Sequence, residues 1–166
     1  MNRKWARSTA ERCVEAITQK DKEGLWKVLN PVLDAKVPFP LLDEIGKSLG
    51  TAGKLDKTRY FRVFDEIVAT KKMGGYVIVG QALACFLETE LEASIQKATK
   101  VIIEGKTWYV CDIVGERVFG QALVSYFEAA VLVLERMTSL ENQEVKRSIG
   151  VAVHFFAKRR PKMSRG

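Results

Sequence analysis

Apolar residues recur at helical spacing along nearly the whole chain. A spacing of three and four residues is typical of helices that bury one face. Three stripes have this spacing: Leu41, Leu42, Ile45 and Leu49; Tyr60, Phe61, Phe64, Ile67 and Val68; and Leu91, Ile95, Ala98, Ile102 and Ile103. No segment alternates apolar and polar residues for long enough to form a half-buried strand. The pattern therefore predicts an all-α protein.

Polar residues and prolines predict helix ends in the first part of the chain. Ser8-Thr9-Ala10-Glu11 has the form of a capping box, which predicts a helix start at this point. The next helix, Lys22 to Leu33, is expected to end around Pro31 or at the Pro38-Phe39-Pro40 stretch, because proline lacks a backbone donor.

The second part of the chain carries similar signals. Val77 to Leu87 is almost uniformly apolar, which predicts an inner, buried helix. Residues 107–126 predict a helix, or a helix with a break near Gly115. Asn142 is expected to cap a last helix over residues 143–159, because its side-chain oxygen can accept a backbone N–H.

The spacing of these elements favours a helical-repeat architecture. About eight helices are expected, and one helix pair spans about 35–45 residues, as in helical solenoids. A globular helical bundle is the structural alternative. We expect one domain over residues 1–160, followed by a basic tail over residues 161–166.

The charge is unevenly placed along the chain. The 166 residues carry a formal net charge of +7, with 47% hydrophobic and 28% charged residues, which is typical of a folded domain. Residues 136–166 hold eight Lys or Arg and only two Glu, a net charge of +6. This excess favours a surface that faces a polyanion, and a solubilising tail is the alternative for the last seven residues.

The cysteine and histidine content excludes several kinds of site. Cys13, Cys85 and Cys111 are far apart in sequence, and His154 is the one histidine, so neither a zinc site nor a disulfide framework is expected. Each cysteine is expected to be a small buried residue. The chain turns polar directly after Met1, and we expect neither a signal peptide nor a membrane span, and a cytoplasmic location.

One short segment combines an aromatic ring with a carboxylate. Trp108 and Asp112 are four residues apart and would share a helix face. An indole face attracts positive charge and a carboxylate stabilises it, so the pair suits a cationic planar ligand. The alternative is a core tryptophan beside a solvated or paired acid.

A second segment places two cations at the start of the last predicted helix. Lys146 and Arg147 lie where the helix dipole disfavours positive charge, which favours an external anion such as phosphate. A solvated helix face is the alternative. His154 is expected to be a packed core or surface residue rather than a catalytic base.

Together with a proline-bounded helix start, these segments resemble the HEAT-like-repeat DNA alkylation repair family of DNA glycosylases. Three stretches carry the resemblance: Val37-Pro38-Phe39-Pro40-Leu41-Leu42, the Trp108-x-x-x-Asp112 pair, and Lys146-Arg147-Ser148-Ile149-Gly150-Val151-Ala152. Their order and separations match the family from about residue 37 to residue 160.

The resemblance implies a fold, an activity and roles for residues. It implies a curved HEAT-like solenoid whose basic concave face holds duplex DNA, and hydrolysis of the N-glycosidic bond of N3- or N7-alkylated purines without base flipping. By the resemblance, Trp108 lies against the sugar and phosphate of the lesion, and Asp112 stabilises the oxocarbenium-like sugar or positions water. Arg147 and Lys146 would contact the DNA backbone, and no metal or organic cofactor is implied.

The chain also departs from the family. Members continue through further repeats that supply another tryptophan, whereas no tryptophan follows Trp108 here, so we expect a shortened member or part of a longer chain. Trp26 is the weaker candidate for an additional DNA-contacting aromatic residue. Loss of later repeats would expose the apolar face of Val151, Phe155 and Phe156 and favour self-association. The functional alternative is a non-catalytic helical-repeat scaffold that binds nucleic acid or a protein partner.

Overall fold

The computed structural model describes the backbone of residues 1–163 and the side chains of residues 1–159. Over these residues the protein is all-α and contains no strand, which confirms the predicted fold class. The chain divides into two compact units, Met1–Cys85 (unit 1) and Phe86–Gly166 (unit 2). The side chains of the predicted basic tail, 161–166, lie outside the described residues, and the single domain over 1–160 stays a prediction.

Unit 1 consists of five helices, of which the last is mostly buried. The helices are α1 (Arg3–Thr18), α2 (Lys22–Asp34), α3 (Phe39–Gly53), α4 (Lys57–Ala69) and α5 (Met73–Ala84). Helix α3 packs against α1 and α5, and α2 packs against α1. Most of α5 is buried, from Gly75 to Gly80 and again at Ala82 and Leu83. The predicted inner helix is therefore confirmed, although it begins four residues before Val77 and ends at Ala84, three residues before Leu87.

Unit 2 is built around the long last helix. Its elements are α6 (Leu87–Gly105), α7 (Trp108–Val114), a π-helical segment (Gly115–Gly120), α8 (Gln121–Ser125), α9 (Phe127–Thr138) and α10 (Gln143–Met163). Helix α6 is interrupted at Glu90, where φ is −139° and ψ is 49°. Helix α10 packs against α7, α8 and the π-helical segment. The break predicted near Gly115 is thus a change from α-helical to π-helical geometry.

The predicted helix ends are partly confirmed and partly wrong. Asn142 caps α10, because its Oδ1 accepts the backbone N–H of Val145 at 3.0 Å. The Ser8 capping box is wrong: Ser8 is inside α1, which is capped earlier by Asn2, whose Oδ1 accepts the N–H of Trp5 at 2.9 Å. The predicted helix from Lys22 to Leu33 is confirmed as α2 (Lys22–Asp34), which passes through Pro31 and ends before the Pro38-Phe39-Pro40 stretch.

The described helices include none with the length and apolar content that crossing a bilayer requires.

Candidate functional site

Helix α7 carries the predicted aromatic and acidic residues on one face. It begins after Thr107, whose backbone is extended with φ of −134° and ψ of 150°. Trp108 is its first residue and is 64% exposed, so the alternative of a core tryptophan is wrong. Its indole meets the ring of Tyr109 edge-on, with the ring centroids 5.9 Å apart. Asp112 follows one turn later and shares the exposed side of the helix.

Asp112 forms an ion pair with Arg147 across α7 and α10. The Arg147 Nε donates to Asp112 Oδ1 at 3.2 Å, and Nη2 donates to Oδ2 at 3.4 Å, so both carboxylate oxygens accept from one guanidinium. The hydrogen bonds and charge of Asp112 raise the pKa of Arg147 above its ordinary value. The Arg147 side chain is 52% exposed and that of Asp112 37%, so the pair remains open to solvent. These hydrogen bonds leave Nη1 of Arg147 with its own donors for a further anion.

The first two turns of α10 separate a buried side from a cationic side. Val145 and Ser148 are fully buried, and the Ser148 hydroxyl donates to the Glu144 carbonyl at 2.8 Å. Lys146 and Arg147, between them in sequence, are exposed. Among the described side chains Lys146 has no ion pair, so its ammonium group can bind an anion without first losing a carboxylate.

We call Trp108, Asp112, Lys146 and Arg147 the α7–α10 site. Unit 2 brings Asp112 and Arg147 into direct contact, and places Trp108 and Lys146 on the same two helices. Trp26 is half-buried on α2 and belongs to unit 1. His154 is exposed on α10, in agreement with a surface histidine.

Burial favours the protonated thiol form of the three cysteines. Cys13 and Cys111 are buried as predicted, whereas Cys85 is only half-buried. Burial raises the pKa of the Cys13 thiol to about 12 and raises the pKa values of the Cys85 and Cys111 thiols. The Cys111 Sγ donates to the Thr107 carbonyl at 3.4 Å, at the base of α7. A buried, protonated thiol is a weak nucleophile, which agrees with the prediction that Cys111 is a small packing residue.

Two features beside the α7–α10 site were not predicted. Gly115 lies against the backbone of Ser148, where an added Cβ would be 3.0 Å from the Ser148 carbonyl oxygen. The only signal in the sequence was a glycine three residues after Asp112 and a small residue directly after Arg147. The Thr107 hydroxyl is buried and has no hydrogen-bond partner among the described residues.

A groove of about 500 Å³ between α1, α2 and α4 of unit 1 contains none of the predicted site residues.

Comparison of the chain with protein-family models, with curated proteins and with solved structures finds no match. The class that the fold and the site define is an all-α protein with an exposed tryptophan, a carboxylate paired to arginine, and an exposed lysine at one helix junction. The relation to the DNA alkylation repair family stays a prediction based on the residues quoted above.

Proposed function

We propose that the protein is a DNA glycosylase that hydrolyses the N-glycosidic bond of N3- or N7-alkylated purines in duplex DNA, on a HEAT-like helical solenoid. The observation that carries the proposal is the ion pair between Asp112 and Arg147 beside the exposed Trp108. A carboxylate, a phosphate-binding guanidinium and an aromatic surface are the three groups that a cationic nucleotide would meet. The resemblance to the family assigns the same three residues.

The reaction needs little covalent participation from the protein. An alkylated purine is already cationic, so when the C1′–N bond breaks the base takes the bonding electrons and leaves neutral. The positive charge moves to the sugar, and the Asp112 carboxylate would stabilise it electrostatically. Water then adds to C1′ and loses a proton to solvent, directly or through Asp112. No metal or organic cofactor enters this sequence of steps.

Arg147 would act on Asp112 and on DNA at the same time. Its Nε and Nη2 donors fix both carboxylate oxygens, and its remaining edge would donate to a phosphate oxygen. Lys146 would bind a neighbouring phosphate as a point charge. The exposed face of Trp108 would pack against the sugar and phosphate of the lesion. Binding and charge stabilisation would then lie on two adjacent helices.

The test is release of methylated purines from alkylated duplex DNA. We expect Asp112→Asn to lower the rate by about a hundredfold or more, since a preorganised electrostatic group contributes about that much. Trp108→Ala should also lower it. Two exposed residues of unit 2 provide matched controls. Glu116→Gln neutralises a carboxylate four residues after Asp112, and Leu132→Ala truncates an apolar side chain that is 64% exposed, like Trp108. Undiminished release by the Asp112→Asn variant would exclude the mechanism.

A non-catalytic scaffold that binds nucleic acid or a protein is the second candidate. The feature that favours it is that both Asp112 oxygens are already occupied by Arg147, which offsets the carboxylate charge. The scaffold predicts DNA binding without base release, or binding to a protein. Intact alkylated bases after incubation, together with unchanged binding by Asp112→Asn, would favour the scaffold.

A further inference from the structure

The ion pair of the α7–α10 site depends on how closely two helices approach. Gly115 comes three residues after Asp112, and Ser148 comes directly after Arg147. An ideal Cβ on Gly115 would lie 3.0 Å from the Ser148 carbonyl oxygen and 3.3 Å from the Ser148 Cα. The nearest obstacles are therefore backbone atoms of α10, which cannot turn away as a flexible side chain can. Only glycine allows this contact without displacing one of the two elements.

The hydrogen bonds of the ion pair leave little room for displacement. The distance from Arg147 Nη2 to Asp112 Oδ2 is already 3.4 Å, at the long end for such a bond. Ser148 is fully buried, and its hydroxyl is bonded to the Glu144 carbonyl, so the residue is fixed in α10. A shift of α10 by a few tenths of an ångström would therefore break the second hydrogen bond and weaken the first.

The π-helical geometry extends the same contact. The N–H of Gln121 donates to the carbonyl of Glu116, five residues earlier. In an α-helix, positions five residues apart point about 140° away from each other. With hydrogen bonds between residues five apart, such positions come close to the same face. Gly115 and Gly120 can thus both lie against α10, Gly115 at Ser148 and Gly120 at Phe155, whose Cδ1 would be 2.6 Å from an added Cβ.

We propose that Gly115 is a positioning residue: its contact with the Ser148 backbone seats α10 against α7 and thereby sets the ion pair between Asp112 and Arg147. The consequence for catalysis rests on the proposed glycosylase function. The consequence for the ion pair does not, because it follows from the geometry of unit 2 alone.

The first experiment follows the ion pair directly by nuclear magnetic resonance of the Arg147 Nε–Hε group in the full chain. Asp112→Asn defines the position of the resonance when the ion pair is lost. We expect Gly115→Ala to move the resonance towards that position, and Asp112→Asn to cause a smaller shift in the Gly115→Ala background than in the wild-type protein. An unmoved resonance in a Gly115→Ala protein with a native backbone amide spectrum would overturn the proposal.

Two other glycines serve as controls for this experiment. Gly150 is on α10, and an added Cβ there would meet nothing within 4 Å, so Gly150→Ala should leave the resonance in place. Gly120→Ala would press on the Phe155 side chain, eight residues after Arg147 on α10, and should shift the resonance less than Gly115→Ala does because the displacement lies farther from the ion pair.

A milder variant covers the case in which Gly115→Ala does not fold. Ser148→Thr keeps the hydroxyl that bonds to Glu144 and adds one methyl group to the Cβ of residue 148, which would be 3.4 Å from an added Cβ on Gly115. It should move the Arg147 resonance in the same direction by a smaller amount, and an unmoved resonance in this variant would also overturn the proposal.

The second experiment is a kinetic one and depends on base release. We expect Gly115→Ala to lower kcat about tenfold to a hundredfold, since small misplacements of a catalytic group cost about that much. KM should change little, because Trp108 and Lys146 remain available for binding. A rise in KM as large as the fall in kcat would indicate a general structural defect and contradict a positioning role. If the wild-type chain releases no base, the proposed function fails, and the resonance experiment still decides the role of Gly115.

Discussion

Cys13 lies on α1 with none of its surface exposed, and burial changes its acid–base behaviour. Desolvation raises the pKa of the thiol from its ordinary value of 9.0 to about 12, and the Arg12 guanidinium lowers it only in part. Between these two values the folded protein keeps the thiol protonated, whereas the unfolded chain ionises it. The unfolded state then binds fewer protons, so the free energy of unfolding falls as pH rises through this range.

Cys13→Ala should remove this contribution to the pH dependence. Between pH 9.0 and about 12, we expect the free energy of unfolding of the wild-type protein to fall more steeply than that of the variant. The difference in slope should approach about 1.4 kcal/mol per pH unit. Urea unfolding at several pH values measures it. The raised pKa values of Cys85 and Cys111 cancel because both proteins keep these groups, whereas the pKa of Tyr60 loses the small upward contribution that Cys13 makes to it. Parallel slopes would contradict the prediction.

At the scale of the elements, α3 and α5 approach each other through two glycines. An ideal Cβ on Gly46 would lie 2.5 Å from the Ile78 carbonyl oxygen, and one on Gly50 would lie 2.5 Å from the Ala82 carbonyl oxygen. The two glycines are one turn apart on the face of α3 that packs against α5. The helix-forming cost of glycine is therefore offset by close packing of two helix backbones.

Gly46→Ala should destabilise the protein although alanine is the better helix former. We expect the free energy of unfolding to fall by about 1–3 kcal/mol, since the added methyl group forces α3 and α5 apart. Gly150→Ala is the matched control because its Cβ meets nothing within 4 Å, and there we expect a gain of up to about 1 kcal/mol. Urea denaturation of both variants measures the contrast. A stabilised Gly46→Ala protein would show that the two backbones are not in contact.

The sequence predicted the elements better than it predicted how they meet. The stripes at Leu41–Leu49 and Tyr60–Val68 identified α3 and α4, because burial of one face imposes a period that is visible locally. The capping-box pattern at Ser8 placed the start of α1 too late, since the helix begins after Asn2. The residues around Ser8 give no information about a capping residue six positions earlier. The contact of Gly115 with Ser148 joins residues 33 positions apart. The spacing of apolar residues along the chain cannot predict a contact between residues so far apart.

The sequence likewise predicted only part of the candidate site. That Trp108 and Asp112 share a helix face followed from their spacing of four residues. The pairing of Asp112 with Arg147 did not, since it depends on the packing of α10 against α7. The resemblance to a repair family brought these residues into one hypothesis, whereas the geometry of unit 2 provides the contact between them.

At the scale of the whole molecule, the positive charge is concentrated towards the end of the chain. Residues 136–166 carry a net charge of +6 out of the total of +7. Lys146 and Arg147 are part of this excess, and both are exposed at the start of α10. A DNA-binding function predicts that these cations displace counterions from phosphates, so that affinity falls steeply as salt rises. A protein-binding scaffold predicts a much weaker response.

The affinity for duplex DNA, measured at several salt concentrations, should therefore distinguish a DNA-binding function from a protein-binding scaffold and show which cations contact phosphates. We expect Lys146→Ala to reduce the slope of log affinity against log salt by about 1, because it removes one phosphate contact. Arg147→Ala should reduce the slope similarly but lower the affinity further, because it leaves the Asp112 carboxylate unpaired beside the phosphates. Lys100→Ala is the control: Lys100 is also exposed, but its Nζ is 4.0 Å from Glu104. A flat salt response of the wild-type protein would exclude DNA as the partner. Equal effects of all three variants would mean that the overall charge governs DNA binding and that the α7–α10 site does not.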